Sequence, residues 1–364
     1  MKILEVIPAL DSGGAEVFLV NLSNELAQKK NVDITILTLY PVNQEHFLVK
    51  KISPKIKLVS FNKKSGVDLN MIFQAYKHIR KEQYDIAHFH VNAIIYAILS
   101  VLMYRKCKYF ATIHNDAYKE ADGMHRYVRK FMFKRGLMFP ITISNESDRS
   151  FRELYKRNAS LIYNGVPQYE RGIDVDLNSY RITLTTKVFL NVASIQPSKN
   201  QLAMARVVNR LAREGHDVKL LIIGRMTDMH KLCAEELKKE ASSVVHLLGE
   251  KSNPRDYMIK SDYFILASHY EGLPITLLES LSVGCIPVVT AVGGNIDVVK
   301  DGDNGYIIEN PSEEAIYTTI KRILSASEAE TNRIREGVQN SAVKYSIENC
   351  ADKHLELFKL SRNV

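Results

Sequence analysis

Twelve short apolar runs, separated by helix-patterned stretches, divide this chain into two similar halves and leave few folds open to it. The first half carries KILEVI, DITIL, IKLVSF, DIAHF, KYFATI and PITIS; the second carries KVFLNVA, VKLLIIG, VVHLL, DYFILA, IPVV and GYII. Runs that stay apolar without alternating suit strands covered on both faces, so each half predicts a doubly wound α/β domain around a parallel sheet. At 364 residues the chain exceeds the usual size of one core, and a 46% hydrophobic content is ordinary for a globular protein. Residues 165–186 are polar, contain Pro167 and Gly172 and lack a sustained apolar period, as a linker does. Two domains are expected, over residues 1–172 and 173–346.

The chemistry concentrates in residues 268–294, SHYEGLPITLLESLSVGCIPVVTAVGG. The preceding run predicts a buried strand, Glu271-Gly272 a turn after it, and Pro274 the first turn of a helix that Gly284 can end. Glu271 then precedes the helix and Glu279 lies inside it. At ~1.5 Å rise per residue, Pro274 to Glu279 covers roughly 8 Å, and helical side chains lean towards the N-terminus, so both carboxylates can face one ligand. Spacing alone is weak, because Glu328/Glu336 and Glu348/Glu356 are also eight apart, in polar, helix-patterned sequence. The helix mouth at Leu273, Pro274, Ile275 and Thr276 offers unpaired N–H groups and the positive end of a dipole, which suit a phosphate. Carboxylates bind phosphate poorly but accept well from hydroxyls. The pattern therefore suits a ligand with hydroxylated rings on either side of a diphosphate, which is the layout of a nucleotide sugar.

In this stretch the sequence resembles the retaining glycosyltransferases of family four, whose signature is two glutamates with seven residues between them, after an apolar strand and a small-residue turn. The resemblance implies the GT-B fold, two doubly wound Rossmann-like domains facing across a cleft. The N-terminal domain would be on the acceptor side and the C-terminal one would bind the nucleotide-sugar donor. The last helix, within residues 347–364, would pack back on the first domain.

The family pattern assigns Glu271 to the donor sugar, Glu279 to the nucleotide ribose, and Gly272 to Thr276 to the surroundings of the diphosphate. Gly13 and Gly14, in SGGAEVFLVNLSNEL, would abut the diphosphate or the reacting sugar. His114, in TIHND, matches the family's histidine near the donor sugar, and Lys199, in NVASIQPSKNQ, its phosphate-pairing lysine. Leu248 and Gly249, in HLLGE after a strand, match the position whose backbone reads the nucleobase. Ser194 stands where the family has an arginine, which leaves Arg225 of LIIGRM as a compensating cation or a surface residue. His88 and His90 fit packing or supporting roles better than ligand contact. Ser144 is expected to cap the helix after it and Asn164-Gly165 to form a turn.

Residues 1–180 hold 26 Lys and Arg against 18 Asp and Glu, whereas residues 181–364 hold 23 of each, so the net charge of +8 belongs to the first half. Nine of those basic residues lie between Arg105 and Arg135, and in residues 125–139 they alternate with Tyr127, Val128, Phe131, Met132 and Phe133. Such a segment can lie on an anionic membrane surface or form a core-packing helix with a solvated basic face, and the sequence leaves both open. No basic stretch accompanies a nucleic-acid-binding module, so no nucleic-acid partner is expected. Cys107, Cys233, Cys285 and Cys350 are scattered without a CxxC or His-rich neighbour, which argues against a disulfide framework or zinc site. Glu5, Pro8 and Asp11 interrupt the apolar core a signal peptide needs, and residues 93–104 are too few to span a bilayer. A cytoplasmic enzyme is expected, working at the inner face of the membrane if the basic segment binds there.

The function expected is retaining transfer of a sugar from a nucleotide diphosphate-sugar, with UDP implied by the family, to a hydroxyl acceptor such as a polysaccharide or lipid-linked glycan. No cofactor or metal is implied, and the family's front-face attack, assisted by the leaving phosphate, needs no dedicated base. A dinucleotide-dependent oxidoreductase would show GxGxxG after a strand, where this chain has SGGAE. A nucleotide-sugar-binding protein without transferase activity is the remaining alternative.

Overall fold

The computed structural model describes residues 1–362 apart from 12, 65, 67, 171, 173, 182 and 184. Two compact units share the chain: residues 1–167 together with 345–364, and residues 168–344. The first break falls at 167/168, a few residues before the expected 172/173.

The first unit holds a seven-stranded sheet made of β1 (Lys2–Ile7), β2 (Asp33–Thr38), β3 (Lys57–Ser60), β4 (Ile86–His90), β5 (Lys108–Ile113), β6 (Phe139–Thr142) and β7 (Ser160–Leu161). The second holds six strands, β8 (Lys187–Val192), β9 (Val218–Ile223), β10 (Val245–Gly249), β11 (Tyr263–Leu266), β12 (Ile286–Thr290) and β13 (Tyr306–Ile308). Every pairing is parallel, in the orders β3-β2-β1-β4-β5-β6-β7 and β10-β9-β8-β11-β12-β13. All twelve apolar runs form strands. The two-residue edge strand β7 is too short to show a period.

In both sheets the order reverses at one place, between β1 and β4 and between β8 and β11. Loops leaving such neighbours diverge, and the crevice beyond their carboxyl ends is where open α/β sheets bind ligands. Gly13-Gly14 follows β1, His90 ends β4, residues 194–199 follow β8, and residues 268–274 follow β11. Within each unit these residues therefore lie where its own topology leaves room.

The helix Ile347–Arg362 belongs to the first unit, where it packs on the helix Gly14–Leu26 and buries Cys350, Ala351, His354 and Phe358. Lys29, three residues past the end of the helix Gly14–Leu26, forms an ion pair of 2.7 Å with Asp352 of the last helix. Asn164-Gly165 departs from expectation, being an irregular segment without a turn that leads into the bridge of Val166 with Ser346. A Cβ at Gly165 would lie 2.5 Å from the Ser346 carbonyl oxygen and 2.8 Å from Cys350 Cβ, so glycine is required there for the close approach of the last helix. Ser144 caps the helix Asn145–Tyr155 in a capping box with Ser147.

Candidate active site

In the second unit the loop after β8 and the turn after β11 are tied into one surface. Pro197–Lys199 is a single 3-10 turn, and the left-handed Asn200 that ends it donates from Nδ2 to the carbonyls of Ala267 (3.1 Å) and Pro311 (2.7 Å). His269 N–H donates to Ser198 O at 2.9 Å. This stitching brings Lys199 to Glu271: Nζ lies 2.7 Å from Oε1, and Ser268 Oγ donates to the same oxygen at 2.7 Å. Glu271 is only 9% exposed and Glu279 8%, so neither is a solvated helix-end acid. The equally spaced Glu328/Glu336 and Glu348/Glu356 are all exposed.

The turn itself is held from β12. Gly294 N–H donates to Gly272 O at 2.7 Å, and Thr290 Oγ1 to Ser268 O at 2.7 Å. Gly293 has φ +55°, and any Cβ there would overlap the Glu271 carbonyl oxygen. The helix Ile275–Ser282 then starts after Pro274 with no side chain capping it, so its first N–H groups are not taken by a side-chain cap. Leu273 and Ile275 are buried while Pro274 and Thr276 are half-buried, which places the edge of the surface at this helix mouth.

Glu279, inside that helix, has the Arg255 Nε 3.8 Å from its Oε1. Arg255 also lies 5.7 Å from the centre of the Tyr169 ring, whose hydroxyl donates to Asp256. No sequence signal singles out Arg255, because its partners come from distant segments. Ser194 is exposed, and Arg225 is half-buried rather than a surface residue. The two strand-end loops adjoin through Ile195 N–H, which donates to Arg225 O at 2.9 Å, and Arg225 Nε is buried without a hydrogen-bond partner. Leu248 and Gly249 lie on β10 itself rather than after it, half-buried, with Gly249 O accepting from Gly224 N–H at 2.9 Å.

In the first unit Gly13 precedes the helix Gly14–Leu26, and Gly14, its first residue, is exposed. Phe18, one turn in, packs edge-on against His114 with ring centres 5.9 Å apart. His114 is half-buried at the end of β5, and its Nε2 lies 2.9 Å from His90 Nδ1. His88 and His90 are fully buried and hydrogen-bonded to Glu5 in β1. Glu5 was not among the residues expected to matter; the available signal was a charge in the middle of a strand apolar on both faces. Glu5, His88 and His90 form the one group of potential metal ligands among the described residues, with ligand atoms within 4.8 Å of one another.

The basic segment forms the helix Gly123–Lys134, and it corrects part of the membrane expectation. Arg129 is 1% exposed, paired with Glu120 at 3.0 Å and donating to Val91 O at 2.7 Å, so it belongs to the interior. Arg126 is occupied by the carbonyls of Ala121 and Tyr118. Met124, Tyr127 and Phe131 are exposed instead, three and four residues apart on one helical face. Among the described residues no helix is long and apolar enough to cross a membrane.

Two family models match the chain: Glycosyltransferase Family 4 over residues 12–168 and Glycosyl transferases group 1 over residues 173–340. An Escherichia coli UDP-Gal:alpha-D-GlcNAc-diphosphoundecaprenol alpha-1,3-galactosyltransferase is 25% identical over 314 residues, 80% of this chain and 79% of that protein. A Campylobacter jejuni N-acetylgalactosamine-N,N'-diacetylbacillosaminyl-diphospho-undecaprenol 4-alpha-N-acetylgalactosaminyltransferase is 30% identical over 162 residues, 44% of this chain and 42% of that protein. The crystal structure of Anabaena HepE in complex with UDP superposes with a TM-score of 0.81 at 16% identity, covering 99% of this chain and 100% of the other, which shows a shared fold. Both units are matched by family models and both sheets have the family's architecture: the chain belongs to glycosyltransferase family four, has the two-domain GT-B fold, and is a glycosyltransferase of nucleotide-sugar donors.

Proposed function

We propose that this protein is a retaining glycosyltransferase that moves a sugar from a UDP-sugar to a hydroxyl of a lipid-linked or polysaccharide glycan. The observation that carries the reading is the convergence of Lys199, Ser268 and Glu271 beside an uncapped helix N-terminus. In the reaction, Lys199 and the helix mouth offset charge gathering on the leaving diphosphate, which is commonly the largest catalytic contribution in such sites. Glu271 accepts from the sugar's hydroxyls, Glu279 from the ribose, and His114 contacts the donor sugar. The acceptor hydroxyl attacks the face the diphosphate leaves and passes its proton to the departing phosphate oxygen, so no separate base enters. The charge on the diphosphate is met by Lys199 and backbone N–H groups, without a metal in the step. UDP is favoured because the Escherichia coli relative and the Anabaena structure carry it in their names, and a lipid-linked acceptor because the Escherichia coli and Campylobacter jejuni relatives are named for undecaprenol diphosphate substrates. A cytoplasmic site of action follows from the same reading.

A pair of variants tests it. Glu271→Gln should keep UDP affinity within about twofold while losing most donor turnover, because its partner is the sugar. Glu279→Ala should weaken UDP itself by roughly tenfold, the value of one good hydrogen bond. Calorimetry showing both variants binding UDP like the parent would end the ribose assignment. A parent that binds UDP-sugars but neither hydrolyses nor transfers them would instead be a nucleotide-sugar-binding protein.

A further inference from the structure

The first unit contains a buried polar chain whose far end is His114. Glu5 is fully enclosed in β1, where a bare charge would be costly, and the parallel register sets it beside His88 in β4. Its Oε2 lies 3.0 Å from His88 Nδ1 and 2.8 Å from His90 Nε2. The opposite nitrogens are also engaged: His88 Nε2 lies 2.7 Å from Thr112 Oγ1, and His90 Nδ1 lies 2.9 Å from His114 Nε2. Phe18 closes one side, edge-on to both His90 and His114.

The direction of these hydrogen bonds follows from the carboxylate. Burial alone would raise the Glu5 pKa, but the attraction of His88 and the hydrogen bonds of His88 and His90 outweigh it and hold the carboxyl well below the usual range. An ionised carboxylate can only accept, so His90 carries its proton on Nε2. Burial, reinforced by His88, pushes His90 down to about 4 and keeps it neutral, which leaves Nδ1 bare. A bare Nδ1 accepts, so His114 must donate from Nε2. Burial, then the neighbouring imidazoles, hold His114 well below its ordinary value. Its own Nδ1 is then a lone pair.

We infer that Glu5 is a positioning residue: acting through His90, it fixes His114 as the Nε2–H tautomer, so that Nδ1 is offered as an acceptor to a hydroxyl of the bound sugar. The second half of this rests on the assignment of His114 to the donor sugar. His90 then takes the supporting role, the second of the two that its sequence position suggests. The separations of 2.8–3.3 Å are hydrogen-bond lengths, and the run of donors and acceptors closes without a further cation.

The experiment is long-range proton–nitrogen spectroscopy of the full-length protein labelled with 15N-histidine, at pH 7.5, with the His114 signal identified by its loss in His114→Gln. His90 and His114 are expected as neutral Nε2–H rings. Glu5→Leu removes the acceptor altogether, and should release both rings to a population with the Nδ1–H form. If that variant does not fold, the parent spectrum alone decides. An Nδ1–H or imidazolium His114 in the parent, an unchanged His114 tautomer in folded Glu5→Leu, or one equivalent of bound metal by elemental analysis would each overturn the proposal. With UDP-glucose as the probe, a shift of His114 Nδ1 that UDP alone does not cause supports the contact with a sugar hydroxyl. UDP-glucose bound by calorimetry without that shift would overturn the donor-sugar assignment of His114, while the tautomer result would still test the role of Glu5.

Discussion

Lys199 Nζ sits 2.7 Å from Glu271 Oε1, so the cation proposed for the diphosphate and the acid proposed for the sugar hold one another before any donor arrives. The pair is mostly enclosed, with side-chain exposures of 19% and 7%. A phosphate arriving at Lys199 competes with Glu271 for it and frees a carboxylate oxygen for a sugar hydroxyl. Removing the lysine should therefore do two things. Lys199→Ala is expected to weaken UDP by about ten- to a hundredfold, the usual range for a charge-assisted hydrogen bond. It also leaves a nearly buried carboxylate with Ser268 as its named remaining donor, so thermal stability should fall. Ser194→Arg, at an exposed position, should restore part of the UDP affinity, and Arg225→Ala should lower it if Arg225 compensates. Normal UDP binding by Lys199→Ala, measured by calorimetry, would show that the phosphate site has been misplaced.

The Glu271 turn depends on a residue more than twenty positions away. Gly293 occupies left-handed backbone and abuts the Glu271 carbonyl, so Gly293→Ala combines strain with a backbone clash. It should destabilise the protein by about 2 kcal/mol or more and reduce turnover more than a surface substitution of equal stability cost. Differential scanning fluorimetry with a donor-hydrolysis assay would check this. Unchanged melting and turnover would mean that the turn tolerates displacement.

Acid should destabilise the first unit through its buried imidazoles. His354 donates from Nδ1 to Cys350 O at 2.8 Å, and its Nε2 is buried without a partner. Burial, then the nearby His88, pushes it down to about 3. Because this folded-state value lies below the ordinary histidine range, the unfolded chain binds more protons between the two. Stability is therefore complete above about pH 6.5 and declines by about 1.4 kcal/mol per pH unit for one such group as pH falls towards the folded value. Denaturant unfolding at pH 7.5 and pH 5 should show this loss, and His354→Phe should make it smaller. Equal losses in parent and variant would rule out a neutral buried His354.

The exposed face of Met124, Tyr127 and Phe131 with Lys130 and Lys134 nearby gives the membrane proposal a narrower form. Lys130→Gln with Lys134→Gln should reduce sedimentation with phosphatidylglycerol vesicles, as should Tyr127→Ser. Salt should weaken the parent's binding, since screening is strong beyond about 10 Å at 0.1 M. Arg129→Gln is not an equivalent test, because it breaks the buried pair with Glu120 and should unfold the helix packing. No vesicle binding by the parent at low salt would leave a solvated basic face.

Both parallel sheets are legible in the residues alone, because strands covered on both faces must be continuously apolar and so announce themselves without any partner. KVFLNVA and DYFILA became β8 and β11, and the Glu271 turn and the helix with Glu279 followed from local signals, a strand end, a proline and two glycines. What those residues meet was not local. Lys199 and Glu271 are 72 positions apart, and their ion pair exists because β8 and β11 are neighbours in the sheet. Arg255 at Glu279, and Arg129 turned inward from a helix that reads as amphipathic and basic, were likewise decided by packing. Glu5 shows the division most clearly. Its charge in β1 is visible as an anomaly, but only the register of β1 against β4 supplies His88 and His90, whose hydrogen bonds make a buried carboxylate stable, and only the pairing of β4 with β5 brings His114 to His90.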